Sequence, residues 1–271
     1  MTSILVRGIR VNFQVWNEEG HETIVLLHGF TGSIKTWAQL SKQLPSSIRI
    51  IAIDLLGHGK TDAPANASRY SMTEQIEDLE CLFQQLKLQQ FTLLGYSMGG
   101  RVALSYAVSY PDRIKHLILE SASPGLDSKE EQEARIKADE LLANKIEQFG
   151  IENFVNQWEN IPLFSSQKKL PLEVQQAIRE ERLGQTEIGL ANSLRGMGTG
   201  AQTSLWNELE GISFPVYLIT GELDQKFCQI AKLMKERIPK AEQIIVSNVG
   251  HAIHVENSTQ FATIVKKVFS K

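Results

Sequence analysis

Ser97 stands at the centre of Gly95-Tyr96-Ser97-Met98-Gly99, directly after the apolar run Phe91-Thr92-Leu93-Leu94 and before Gly100-Arg101-Val102-Ala103-Leu104-Ser105-Tyr106-Ala107, which reads as a helix. A serine on a sharp strand-to-helix turn has strained backbone and tolerates only tiny neighbours, so glycines two residues to either side suit a nucleophile elbow. The string alone is a weak pattern, and its strand-turn-helix setting makes it specific. A glycine-rich loop with a solvated serine is the bland alternative.

Serine is a poor nucleophile or base at neutral pH and needs a histidine, itself oriented by an acid, in the chain order serine, acid, histidine. Asp224, just beyond the run Val216-Tyr217-Leu218-Ile219, is the expected acid. Its other use is to cap the helix that follows, and Glu222 competes with it. His251, after Ser247-Asn248-Val249-Gly250, is the expected proton acceptor, whereas His254 is read as a surface residue at the exposed start of the terminal helix. His21, His28, His58 and His116 lack an acid and a serine in the right order, so structural hydrogen bonding is expected of them; the turn Asp54-Leu55-Leu56-Gly57-His58-Gly59 is structural on the same ground. The loop Leu27-His28-Gly29-Phe30-Thr31-Gly32 and the elbow place the backbone N–H groups of Phe30 and Met98 as oxyanion-hole donors.

The elements that must position these groups are legible. Val11, Phe13 and Val15 alternate with Asn12 and Gln14 as an antiparallel strand with one wet face. Ile24–Leu27, Ile50–Ile53, Phe91–Leu94 and Leu117–Leu119 are apolar on both faces, as central parallel strands are. Met72, Ile76, Leu79, Phe83 and Leu86 recur at helical spacing. From about Ser123 to Leu209 the chain has amphipathic helical segments and no clear strand; strands resume at Val216–Ile219 and Ile244–Val246, with helices from Gln229 to Arg237 and from about Thr259 to Phe269. An eight-stranded, mostly parallel sheet with flanking helices and a helical cap inserted after strand six is the α/β-hydrolase architecture, with the elbow after strand five. Residues 1–122 and 210–271 are expected to form the core and 123–209 the cap.

Composition narrows the function. With 28 basic and 31 acidic residues the formal charge is −3, which supplies no basic stripe for nucleic acid and no polybasic arm for membranes. Cys81 and Cys228 stand apart in no metal-binding spacing, so no metal site, no disulfide framework and no cofactor is expected. The N-terminus lacks a leader pattern and no stretch reaches eighteen apolar residues, so a cytoplasmic protein acting on a small molecule is expected. The sequence does not indicate an oligomeric state.

Arg101, four residues after Ser97, falls on nearly the same helix face and near the mouth of the site. A solvated arginine is the ordinary outcome; beside a water-excluding pocket, carboxylate recognition explains it better. The string Gly95 to Ala103, Glu120-Ser121-Ala122-Ser123-Pro124-Gly125-Leu126, the cap strings Trp158-Glu159-Asn160-Ile161-Pro162-Leu163-Phe164 and Gly189-Leu190-Ala191-Asn192-Ser193-Leu194, and Gly250-His251 together resemble the 2-succinyl-6-hydroxy-2,4-cyclohexadiene-1-carboxylate synthases of menaquinone biosynthesis. The resemblance covers essentially the whole chain.

It implies a lyase that eliminates pyruvate from a cyclohexene bearing succinyl, carboxylate and enolpyruvyl groups, with Ser97, polarised by His251 and Asp224, removing a ring proton. It also implies carboxylate binding by Arg101, Arg135 and Arg179, and pocket roles for Tyr96, Trp158 and Phe164. Three carboxylates entering a low-dielectric cleft do need charge pairing, and arginine provides it bidentately. Taken alone, Arg135 and Arg179 fit solvated i,i+4 pairs, and Trp158 and Phe164 fit cap core. A serine hydrolase acting on an ester or a carbon–carbon bond, and a non-catalytic ligand receptor on the same fold, are the alternatives.

Overall fold

The computed structural model describes residues 2–270. Its sheet contains β1 (Thr2–Val6), β2 (Ile9–Trp16), β3 (Glu22–Leu27), β4 (Ile48–Ile53), β5 (Phe91–Tyr96), β6 (Ile114–Glu120), β7 (Val216–Gly221) and β8 (Ala241–Val246), in the order β1-β2-β4-β3-β5-β6-β7-β8. β1 pairs antiparallel with β2 and β2 with β4; the remaining neighbours are parallel. β1 is a strand the sequence reading did not anticipate. It is joined to β2 by Arg7 and Gly8, both at positive φ (45° and 83°), the conformation whose twist suits a two-residue hairpin.

Helices α1 (Ala38–Gln43), α2 (Met72–Gln85) and α3 (Met98–Ser109) precede the insertion, which holds α4 (Lys129–Trp158), α5 (Leu172–Leu183) and α6 (Glu187–Met197). After it come α7 (Gln225–Arg237), α8 (Ile253–Glu256) and α9 (Ser258–Val268). The central strands alternate between two core clusters: Val25, Leu27 and Leu93 join one, and Ile24, Leu26 and Leu94 the other. That two-sided burial explains their continuous apolar runs.

The insertion has its own small core. α4 breaks at Gly150 (φ 80°, ψ 170°), and Ala143, Ile146, Phe154 and Val155 pack with Leu190, Ala191 and Leu194 of α6. Phe30, from the loop after β3, packs against this cluster and ties cap to core.

The chain leaves β3 toward β4 and leaves β5 toward β6, on the opposite side. The carboxyl ends of these adjacent strands therefore border the crevice where connections diverge, the usual binding position in an open parallel sheet.

Candidate active site

Ser97 adopts φ 51°, ψ −106°, a region that non-glycine residues enter only when their surroundings enforce it. The enforcement is visible. A Cβ on Gly99 would collide with the carbonyl oxygens of Leu27 and His28, and one on Gly100 would lie 2.5 Å from the Ala122 side chain. The same close approach seats the β3 loop against the elbow. The Ser97 N–H donates to Glu120 O of β6 at 2.8 Å, which pins the turn from the other side.

The triad assembles from three separate loops. Ser97 Oγ lies 2.9 Å from His251 Nε2, and His251 Nδ1 lies 2.6 Å from Asp224 Oδ2. The carboxylate must accept, so Nδ1 carries the proton and Nε2 is free to take the serine's. His251 is 1% exposed, with the Phe227 ring 4.7 Å away. Asp224 also caps α7, its Oδ1 accepting from Phe227 N at 3.3 Å, so the two uses weighed for it coexist on different oxygens. Glu222 is exposed and accepts from Asn248 N.

His254 departs from expectation. It lies in α8, apart from the terminal helix, and is 5% exposed, not a surface residue. Its Nδ1–H donates to Glu120 Oε1 at 2.8 Å and its backbone N–H donates to the same oxygen at 3.0 Å. The ring lies 4.6 Å from that of Tyr96 and 5.0 Å from that of Trp37, so the pair backs the elbow's tyrosine. The clue in the sequence was Glu120 itself, an acid ending an otherwise apolar strand.

His28 donates from Nδ1 to Gly29 O and accepts from Leu55 N–H at Nε2, and His58 donates to Leu56 O. Burial lowers His28 to about 4 and, with His28 adding repulsion, lowers His58 to about 3. His116 contacts Thr92 Oγ1; His21 is exposed and makes no hydrogen bond to a described residue. Asp54 accepts from Ile34 N, Asn12 Nδ2 and Lys60 N, as a structural turn residue does.

In front of the triad lies a cleft of about 480 Å³. Phe30, Tyr96, Ser97, Met98, Arg101, Arg135, Trp158, Phe164 and His251 all line it. The Met98 N–H opens α3 and so has no intrahelical acceptor, and the Phe30 amide follows the glycine at the end of the neighbouring strand loop. The Trp158 and Phe164 rings pack at 5.9 Å within the cap and also wall the cleft. Burial pushes the Tyr96 hydroxyl well above its ordinary range, with the Glu120 charge adding to the effect.

Arg101 is 8% exposed, a buried guanidinium and not a solvated one. Its Nη1 donates to Met197 O and Gln202 Oε1, both at 2.8 Å, and no carboxylate among the described residues pairs with it. Burial lowers it to about 10, with Arg135 repelling it further and the Asp139 carboxylate partly offsetting both; it is still a cation at neutral pH. Arg135 is more open and holds Asp139 at 2.8 Å across one helical turn. Arg101, Arg135 and Lys226 bring positive charge to the cleft wall, which Asp127 and Glu131 also line.

Arg179 is not brought into this cleft. It pairs with Glu159 at 2.7 Å and donates to Asn156, lining a separate outer cleft beyond Phe164. The buried guanidinium near the triad on α5 is Arg182, one turn further on, which the sequence reading did not single out. Gln202 and Lys226 were also missed; polar residues in such contexts carry no spacing signal. Among the described residues, no group of three or more metal-ligating side chains converges, and no helix is long and apolar enough to cross a membrane.

A strained elbow serine, its histidine and acid, and amides at the ends of β3 and β5 define an α/β hydrolase, and residues 22–258 match the sequence profile of the alpha/beta hydrolase fold family, to which the chain belongs. The chain is 49% identical, over 96% of its length and 94% of the relative's, to a Bacillus subtilis (strain 168) protein provisionally named 2-succinyl-6-hydroxy-2,4-cyclohexadiene-1-carboxylate synthase. It belongs to that synthase family. An Enterobacter sp. (strain 638) synthase of the same name is 28% identical over 92% of both chains. The structure of MenH from S. aureus superposes with a TM-score of 0.91 at 38% identity, covering 96% of this chain and 97% of that one. The enol-lactonase from Burkholderia xenovorans LB400, at 21% identity, full coverage of both chains and a TM-score of 0.87, shares the fold.

Proposed function

We propose that this chain eliminates pyruvate from 2-succinyl-5-enolpyruvyl-6-hydroxy-3-cyclohexene-1-carboxylate to give 2-succinyl-6-hydroxy-2,4-cyclohexadiene-1-carboxylate, a cytoplasmic step of menaquinone (vitamin K2) biosynthesis, with 123–209 capping a core of 1–122 and 210–271. The observation that carries this reading is Arg101: a buried cation in the same cleft as the triad whose hydrogen-bond partners are both neutral, with the Asp139 carboxylate close by but held by Arg135. A neutral ester would leave that charge uncompensated, whereas a polycarboxylate neutralises it.

In this reading Ser97 is the base. The ring C2–H is acidified by the adjacent succinyl ketone; as Ser97 Oγ takes that proton, His251 Nε2 takes the serine's, and Asp224 stabilises the imidazolium. The C–H electron pair becomes the C2–C3 double bond, the C3–C4 double bond moves to C4–C5, and the C5–O bond breaks. Enolpyruvate leaves and is protonated to pyruvate, so no water is consumed and no acyl-enzyme forms. Negative charge developing on the ketone oxygen falls to the Phe30 and Met98 amides, and the substrate carboxylates fall to Arg101 and Arg135.

The test is incubation of the purified protein with the enolpyruvyl substrate, following pyruvate with a coupled dehydrogenase. Rapid pyruvate release, with inertness toward nitrophenyl esters, is expected. No pyruvate beside a burst of nitrophenol would favour the second reading, a serine hydrolase, which rests on the same 2.9 Å serine–histidine contact. Retention of all three triad residues in working geometry argues against a mere receptor.

A further inference from the structure

Glu120 closes β6 directly after the apolar run Leu117–Leu119 and is fully buried. An apolar residue there would cost less to bury, so packing alone does not account for the carboxylate. The triad does not use it, because Asp224 already holds His251 Nδ1. Its main chain and side chain grip two different elements. The carbonyl oxygen accepts the Ser97 N–H at 2.8 Å and so pins the elbow. Oε1 accepts the His254 backbone N–H at 3.0 Å, and the two carboxylate oxygens lie 2.8 and 2.9 Å from His254 Nδ1, which must carry the proton. One residue thus holds both the turn that carries the serine and the short helix α8 that follows the base.

The link from His254 back to the base is stiff. Glu256 folds onto its own loop, Oε2 accepting from Gly250 N at 2.6 Å and Oε1 from Ala252 N at 3.4 Å, so the chain is tied on both sides of His251. The Tyr96 ring fills the space in front, 5.4 Å from the His251 ring and 4.6 Å from that of His254. Asp224 fixes the tautomer and tilt of His251 from beyond β7, but it has no hold on the elbow. The 2.9 Å from Nε2 to Ser97 Oγ therefore separates a loop after β8 from a turn after β5, and Glu120, at the end of β6, is bonded to both sides of that gap.

We propose that Glu120 and His254 are positioning residues of the triad, a buried clamp that acts through Ser97 and His251 and keeps the serine hydroxyl within reach of Nε2. This rests on Ser97 and His251 working as a proton-transfer pair and not on the identity of their substrate. A misplacement of about 1 Å between reacting groups costs about 100-fold in rate, so loosening the clamp lowers turnover and leaves affinity nearly unchanged.

Steady-state kinetics on the full-length chain test it, at a temperature well below each variant's melting point. His254→Leu removes the ring donor and is expected to lower kcat for pyruvate release about 10- to 100-fold with KM within about threefold; His254→Asn, whose amide can donate from the place of Nδ1, should recover most of the loss. Glu120→Gln keeps the backbone carbonyl and one acceptor oxygen, and its kcat should fall between the two. Added to Ser97→Ala protein, His254→Leu should change calorimetric affinity for the enolpyruvyl substrate by less than about threefold. A kcat within about twofold of wild type in His254→Leu overturns the clamp, as does a loss carried by KM or by affinity, or one that His254→Asn does not relieve. If His254→Leu does not fold, an unchanged kcat in Glu120→Gln overturns it equally. Should the wild type release no pyruvate but hydrolyse nitrophenyl esters, the proposed reaction fails and the same variants are compared on ester turnover. A wild type inert in both assays overturns the clamp and the reaction together.

Discussion

At the strand ends the ionisable groups form closed pairs, His251 with Asp224 at 2.6 Å and His254 with Glu120 at 2.8 Å. Where core meets cap, Arg101 rests on Met197 O and Gln202, and Arg182 on Gln167 and the face of Phe164, all of them neutral. The contrast separates two tasks. Proton transfer needs groups already fixed in position and tautomer, so their partners come from the chain. Charge recognition needs donors that remain unsatisfied until the ligand arrives, so their partners come from the substrate.

The largest effect should come from opening a closed pair. His251→Ala removes the acceptor of the serine proton, and kcat for pyruvate release should fall roughly 10²–10⁴-fold with substrate affinity nearly unchanged; a larger change in KM than in kcat would erase the division of labour. Acid should also act through the strand-end side. His28 and His58 are neutral when folded but titrate near 6.5 when unfolded, so as pH falls from 6.5 toward 4 the unfolded chain takes up protons that the native chain refuses, and stability drops. His28 alone accounts for about 3 kcal/mol by pH 4. Urea melts across that range should show the fall, with a shallower slope in His58→Gln; equal slopes would show that buried histidine is not its source.

On the open side the signs should oppose one another. Arg101→Met is expected to raise KM about 10- to 100-fold while thermal stability holds or improves, since the charge it removes is desolvated and no chain carboxylate hydrogen-bonds to it. Parallel losses of affinity and stability would make Arg101 a structural residue. Least affected should be Arg179→Gln, whose pair with Glu159 is about one-third exposed on both sides: less than about 1 kcal/mol of stability in denaturant melts, and KM within about threefold.

Much of this was legible because strong local rules wrote it. The elbow, the acid beyond β7 and the histidine beyond β8 each sit at the end of an apolar run, so pattern and chain order located them together. His254 was misread because its burial comes from Glu120, Trp37 and Tyr96, which lie far from it in sequence. Arg179 and Arg182 are one turn apart on a helix of mixed charge, and helical spacing cannot say which one meets a carboxylate of the chain and which is left without one.

The sequence alone therefore determined the strand order's raw material, the serine–acid–histidine succession and the position of the helical insertion, because backbone sterics and two-sided burial leave their periods and glycines in the chain. Only the tertiary structure decided which charges are satisfied. Satisfaction depends on distances of a few ångströms between residues scores of positions apart: Arg101 finds Gln202, Arg179 finds Glu159, and Arg182 finds no carboxylate among the described residues.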